Sequence, residues 1–236
     1  MCGRYVWHPG EQAYVWVGAF TETPTVSPWA QEWLSTGHYN IAPTQSVVAA
    51  AVDDGELRFE KHHWGLVLFW AKSLGAVKFK PINARVEGLA QKPMFRAAVK
   101  EGRRCLIPAT GFYEWTGPKG DRTPHFIHQA GGQPYMFAGL WERWRDKESD
   151  DELLSCTIIT TEANDWMVRI HDRQPVILPE RFYSDWLDPQ HSWDDVSEML
   201  SPSLDGLELT EHVVTGEVNS SRNRGGPEFL EAVSPQ

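Results

Sequence analysis

The run RCLIPATGFYEWT, Arg104 to Thr116, decides the fold. It holds two short β-type segments, RCLIPA and GFYEWT. After it come the punctuation GPKGDR, a third segment PHFIHQ, a second break AGGQ and a fourth segment YMFAGLW. Short apolar and aromatic runs cut by Gly, Pro and Asp read as strands joined by turns, here as an antiparallel meander. Upstream, SVVAAAV and LRFEKHHWG flank DDGE and predict a hairpin ending at Trp64 and Gly65. Downstream, LLSCTIITT is a strong strand candidate and LELTEHVV a weaker one. Helices are expected at the periphery. SPWAQEWL has Ser27 as N-cap and Pro28 in the first turn, and TEANDWMVRI puts Trp166 and Ile170 four apart on one face. PERFYSDWL and SWDDVSEML are the other two. The expectation is an α+β protein, one domain over residues 1–236, whose mostly antiparallel sheet curls towards a barrel.

With 236 residues and 41% apolar content the chain can bury a substantial core. No stretch has the length of a membrane span, and the first thirty residues lack a secretory signal, so a cytoplasmic protein is expected. Cys2, Cys105 and Cys156 are three widely spaced cysteines without a CxxC pair, which predicts reduced thiols. The formal charge is −10, unevenly spread. Residues 61–130 carry 12 Lys and Arg against Glu87, Glu101, Glu114 and Asp121, a net of +8, which leaves −18 for the rest. Nucleic-acid binding needs local positive potential, and this basic island is where it would come from. The acidic run DKESDDE reads as an exposed loop.

Strand alternation in GFYEW puts Phe112 and Glu114 on one face and Tyr113 and Trp115 on the other. A carboxylate sharing a face with Phe is either an edge residue turned to water or a working group. His125 and His128, three apart in a strand, point to opposite faces, as do His62 and His63, so no metal site is expected. The absence of a Gly-rich phosphate loop excludes a nucleotide cofactor.

Several stretches are harder to explain as packing: MCGR at the start, YNIAPTQ, WGL followed by WAK, PINARVE, RRCLIPATGFYEW, IHDRQPVIL and VNSSRN. In this order and over nearly the whole chain they resemble the SRAP family, abasic-site processing proteins that join themselves to abasic sites in single-stranded DNA through an N-terminal cysteine. The resemblance implies that removal of Met1 exposes Cys2, whose α-amine attacks the ring-opened sugar aldehyde to give an imine. The thiol on the adjacent carbon then closes a five-membered thiazolidine. A free terminal amine titrates near 7.7–8.0 and a free thiol near 8.5, so both reactive forms are expected to be available near neutrality.

The same resemblance implies roles for other residues. Glu114 would be a general acid/base and His171 would move protons around the imine. Asn83 can donate and accept but cannot ionise, and would orient the amine or a sugar hydroxyl. Arg4 and Arg85, with Arg96 and Arg173 behind them, would bind phosphates flanking the lesion. Trp70 and Trp115 would stack on bases, while Trp64 is expected to be structural. Asn40 and Pro43 would shape the wall, and Asn219 and Arg222 are either local hydrogen bonders or phosphate contacts. The expected partner is single-stranded DNA carrying an abasic site, at a junction with duplex in one version. The protein is expected to act as a monomer near the nucleoid, with strand cleavage by β-elimination as a side branch. Two rival readings stand beside it: a cysteine-type (auto)peptidase using Cys2, and a non-covalent single-strand binding module. The chain departs from the family pattern at Leu68, Phe69, Val86, Gly88 and Thr110, none of them a catalytic candidate.

Overall fold

The computed structural model describes residues 2–10, 19–77, 80–201 and 207–233. The predicted hairpin is present as β4 (Ser46–Asp53) and β5 (Glu56–Trp64), joined by Asp54 and Gly55 with φ of 50° and 80°. Two positive φ values match the twist of the strands they connect, which is why Asp-Gly nucleates this turn. Beside β4 runs β7 (Arg104–Ala109), then β10 (Tyr135–Arg145), then β11 (Glu152–Glu162). β11 also pairs with β5, Ser155 to His63 and Cys156 to Trp64, in parallel. That pairing closes β4, β5, β7, β10 and β11 into a five-stranded barrel. Gly139 on β10 lets the wall close, because a Cβ there would lie 2.8 Å from both Cys105 Sγ and the Thr157 carbonyl oxygen. Short strands extend this sheet: β2 (Thr25–Val26) on β5, β6 (Asn83–Arg85) and β12 (Arg173–Pro175) on β11, and β13 (Ile177–Leu178) on β10.

The meander expected after Arg104 is interrupted. β8 (Gly111–Thr116) leaves the barrel and joins a second sheet, in the order β14 (Leu209–Val213), β9 (Thr123–Gln129), β8, β1 (Tyr5–Trp7), β3 (His38–Ile41). The chain changes sheet at Thr110, whose backbone N–H donates to the Val6 carbonyl at 2.9 Å instead of continuing the β7 ladder. Within the run β7 to β10, only β8 and β9 pair as a hairpin, and β10 returns to the barrel beside β7. The mostly antiparallel α+β class holds.

Alternation on β8 serves two cores. Phe112 packs into the large barrel cluster, while Tyr113 packs with Val6, Phe126, Val214, Val218 and Phe229 in a smaller one under the C-terminal segment. Gly111 sits against the Phe126 ring and admits no side chain. Helices are short and peripheral: α1 (Pro28–Leu34), capped by Ser27 Oγ, α2 (Arg96–Lys100), α3 (Tyr183–Leu187) and α4 (Trp193–Ser197). The helix expected over TEANDWMVRI is only a 3-10 turn, Met167–Arg169. β11 consumes its first residues, and Asn164 Oδ1 accepts the Met167 N–H at 2.8 Å to start the turn late. The DKESDDE loop is largely exposed, as expected.

Candidate active site

The β1–β8 register, Tyr5 to Phe112, brings the Cys2–Gly3 segment alongside Glu114 when carried back along β1. From the barrel side, β6 carries Asn83 against Ile158 on one flank of β11. The segment after β11 carries His171 back to β12 on the other flank, where Glu162 pairs with Arg173. The seam between the two sheets is a cavity of about 670 Å³ lined by Gly3, Arg4, Glu114, Trp115, Arg122, His171 and Asn219. Four stretches far apart in sequence meet there.

Cys2, next to the lining residue Gly3, is fully buried, and the Asn83 side-chain amide donates to its carbonyl oxygen at 2.9 Å. Asn83 Oδ1 is buried and has no hydrogen-bond partner among the described residues, leaving an acceptor beside the Cys2 backbone. The expectation of an ordinary thiol fails. Burial, reinforced by the Glu114 carboxylate, pushes the Cys2 thiol far above its usual range, so the sulfur is uncharged near neutrality. Glu114 is itself 3% exposed, and burial raises its pKa while the His171 imidazole acts the other way. A carboxyl raised in this manner can give up or accept a proton nearer neutrality than a surface glutamate. His171 Nδ1 accepts the Arg173 backbone N–H at 2.9 Å and lies 2.9 Å from Asp172 Oδ1. A bare Nδ1 suits the first neighbour and a protonated Nδ1 the second, so the ring has a local partner in either state.

Arg4 lies half-buried in the cavity wall. Its Nη1 donates to Asn40 Oδ1 at 2.8 Å and to the Val218 carbonyl at 2.6 Å, its Nη2 donates to the Asn219 carbonyl at 3.2 Å, and the guanidinium carbon is 5.9 Å from the Trp115 ring centroid. Asn40 is buried behind it, with its amide donating to the Ser220 and Asn223 carbonyls at 3.1 and 2.7 Å. Pro43 does not line the first cavity; its neighbour Thr44, with Trp33, Tyr39, Asn40 and Arg224, lines a second cavity of about 630 Å³. The remaining candidates do not line the first cavity. Arg85 is exposed at the end of β6, Arg96 is exposed on α2, and Trp70 is 63% exposed beside Phe69 on the loop after β5. Arg173 departs furthest from a phosphate contact. It is 6% exposed, both its Nη atoms hold the Glu87 carboxylate at 2.7 and 2.8 Å, and Nη2 also reaches the Thr160 carbonyl. Trp64 is buried, as expected.

Sequence reasoning passed over Arg122 and the glycines Gly117 and Gly120, which line the cavity from the β8–β9 loop. By its Gly, Pro and Asp, GPKGDR reads as punctuation. Its two cations within a glycine-rich turn were the available signal. Among the described residues no cluster of three or more His, Cys, Asp or Glu is placed to hold a metal ion. No helix among them is long and apolar enough to cross a membrane.

The fold and the cavity define a class of barrel protein in which the start of the chain is threaded between an acid, an imidazole and an amide. Residues 1–221 match the family model described as SOS response associated peptidase (SRAP), and the chain belongs to that family. Among curated relatives it is 39% identical over 196 residues to the abasic site processing protein YoqW of Bacillus subtilis, covering 82% of this chain and 85% of that one. It is 29% identical over 228 residues to the abasic site processing protein YedK of Escherichia coli, covering 95% and 97%. A crystal structure of a Bordetella bronchiseptica protein superposes with a TM-score of 0.73 at 25% identity, covering 91% of this chain and all of that one. A Bacteroides thetaiotaomicron structure shares the fold, with a TM-score of 0.73 at 24% identity over 83% and 85% of the two chains.

Proposed function

We propose that the protein captures abasic sites in single-stranded DNA by forming a thiazolidine with Cys2. The observation that supports this reading is that Gly3, Glu114 and His171 line one cavity while Asn83 holds the carbonyl of the adjoining Cys2. Once Met1 is removed, the Cys2 amine adds to the aldehyde carbon and loss of one water leaves an imine. The thiol sulfur then bonds to that carbon, and its proton passes to the former imine nitrogen. Glu114 supplies the proton that helps hydroxide leave, and takes one from the neutral thiol as it attacks. The thiol's burial makes that base necessary, since little thiolate exists beforehand. Asn83 fixes the carbonyl end of Cys2, so the ring closes within one residue at small entropic cost.

Arg4 and Arg122 set a positive potential at the cavity, and Trp115 offers a face for a base next to the lesion. Exposed Phe69 and Trp70 suit stacking on the last base pair of an adjoining duplex, which supports a junction substrate. The protein acts as a monomer, because one chain supplies every group named. The test is incubation with a single-stranded oligonucleotide bearing one abasic site, followed by denaturing electrophoresis. A denaturant-stable band that needs Cys2 supports the reading. Peptide turnover without that band supports the peptidase rival, and salt-sensitive binding alone supports a non-covalent module.

A further inference from the structure

Asn219 touches three residues of the cavity wall at once. Its Oδ1 accepts the Trp115 indole N–H at 2.6 Å, its main-chain carbonyl accepts Arg4 Nη2 at 3.2 Å, and its Nδ2 donates to the Arg122 carbonyl at 3.5 Å. All four residues line the same cavity. The segment that carries Asn219 is held from beneath: Val218 is buried in the smaller core, and Asn40 grips the carbonyls of Ser220 and Asn223. The anchor is therefore fixed, while the indole and the β8–β9 loop that it holds are partly exposed. An indole on a strand end has two soft side-chain torsions, and a hydrogen bond to its single donor selects one ring pose.

We infer that Asn219 is a positioning residue for the nucleic acid, holding the Trp115 ring in the pose that receives a base and tying the Arg122 loop to the same wall. This rests on the proposed reading of the cavity as a single-strand site. Asn219 touches no reacting atom, so it acts on binding and not on the bond-forming steps. One neutral hydrogen bond contributes about 0.5–1.5 kcal/mol, which corresponds to roughly a two- to tenfold change in affinity.

The test is a double-mutant cycle on the full chain with Asn219→Ala, Trp115→Phe and the double variant. Half-saturation is read by fluorescence anisotropy on a labelled oligonucleotide without a lesion, and the plateau cross-linking rate on the same oligonucleotide with one abasic site. Asn219→Ala is expected to raise half-saturation about two- to tenfold and leave the plateau rate within about twofold. In the Trp115→Phe background, where no indole N–H remains, the same change is expected to cost less than about twofold, since groups that act through one contact are not additive. Equal costs in both backgrounds, an unchanged half-saturation, or a loss confined to the plateau rate would overturn the inference. If Asn219→Ala fails to fold, Asn219→Ser, with a shorter acceptor, replaces it in the same cycle. A wild-type protein that neither binds nor cross-links removes the single-strand reading together with this one. Wild-type binding with an insensitive Asn219→Ala removes this one alone.

Discussion

The Asn83 amide holds the Cys2 carbonyl at 2.9 Å across 81 residues of chain, tying the barrel sheet to the start of the other sheet. This contact sets the direction of the Cys2 backbone while leaving both of its nucleophiles unbonded to Asn83. Asn83→Ala is expected to slow cross-linking about 10- to 100-fold, the scale of a misaligned reacting group, with little change in lesion-free DNA binding. Gel kinetics at saturating oligonucleotide alongside anisotropy separate the two effects.

Glu114→Gln removes the proton carrier and is expected to lower the cross-linking rate by about 10²–10⁴-fold. It also tests the buried charge. Burial raises the Glu114 pKa in the fold, so its contribution to stability is fully present below the unfolded value of about 4.5 and is lost as pH rises through the folded one. The variant is therefore expected to melt above wild type at pH 8, and to lose that advantage by pH 4, in a thermal scan across pH.

Arg173 and Glu87 form a bidentate pair beside the His171 loop, with the Arg173 N–H on His171 Nδ1. Glu87→Ala leaves a buried guanidinium without its carboxylate and is expected to cost about 2 kcal/mol, below the range for a fully buried pair because Glu87 is partly exposed. Cross-linking is expected to slow through a misplaced His171. The salt dependence of DNA binding is expected to stay unchanged, whereas a phosphate contact at Arg173 would lower its slope in Arg173→Ala by about 0.7.

His62 is buried in the barrel with Nδ1 against the Glu60 carbonyl at 3.0 Å, and burial lowers its pKa from 6.5 to about 4. A histidine held neutral in the fold contributes stability above its unfolded pKa and loses it as pH falls. The window runs from about 6.5 to about 4 and amounts to roughly 3 kcal/mol. Denaturant melts of wild type and His62→Gln over that range are expected to converge as pH falls.

What could be read from the sequence was local. Asp54-Gly55 between two apolar runs announced its hairpin, and alternation in GFYEW placed Glu114 with Phe112 because a strand's period is set by the backbone alone. The change of sheet at Thr110 was hidden, since it depends on a bond to Val6 more than a hundred residues earlier. The helix expected near Trp166 failed for a similar reason, with β11 claiming its start. The burial of Cys2 and Arg173 could not be read either, because each depends on a partner about eighty residues away, Asn83 or Glu87. Resemblance named the chemistry-bearing residues, and only packing separates the cavity residues Arg4 and Trp115 from Arg85, Arg96 and Trp70 outside it.

The most direct measurement is the intact mass of the species formed between the purified protein and a single-stranded oligonucleotide with one abasic site, run beside Cys2→Ala. The expected result is one denaturant-stable species whose mass is the protein without Met1 plus the oligonucleotide less one water, absent from the variant. A stable species of equal yield in Cys2→Ala, or none in the wild type, would contradict capture through the first residue.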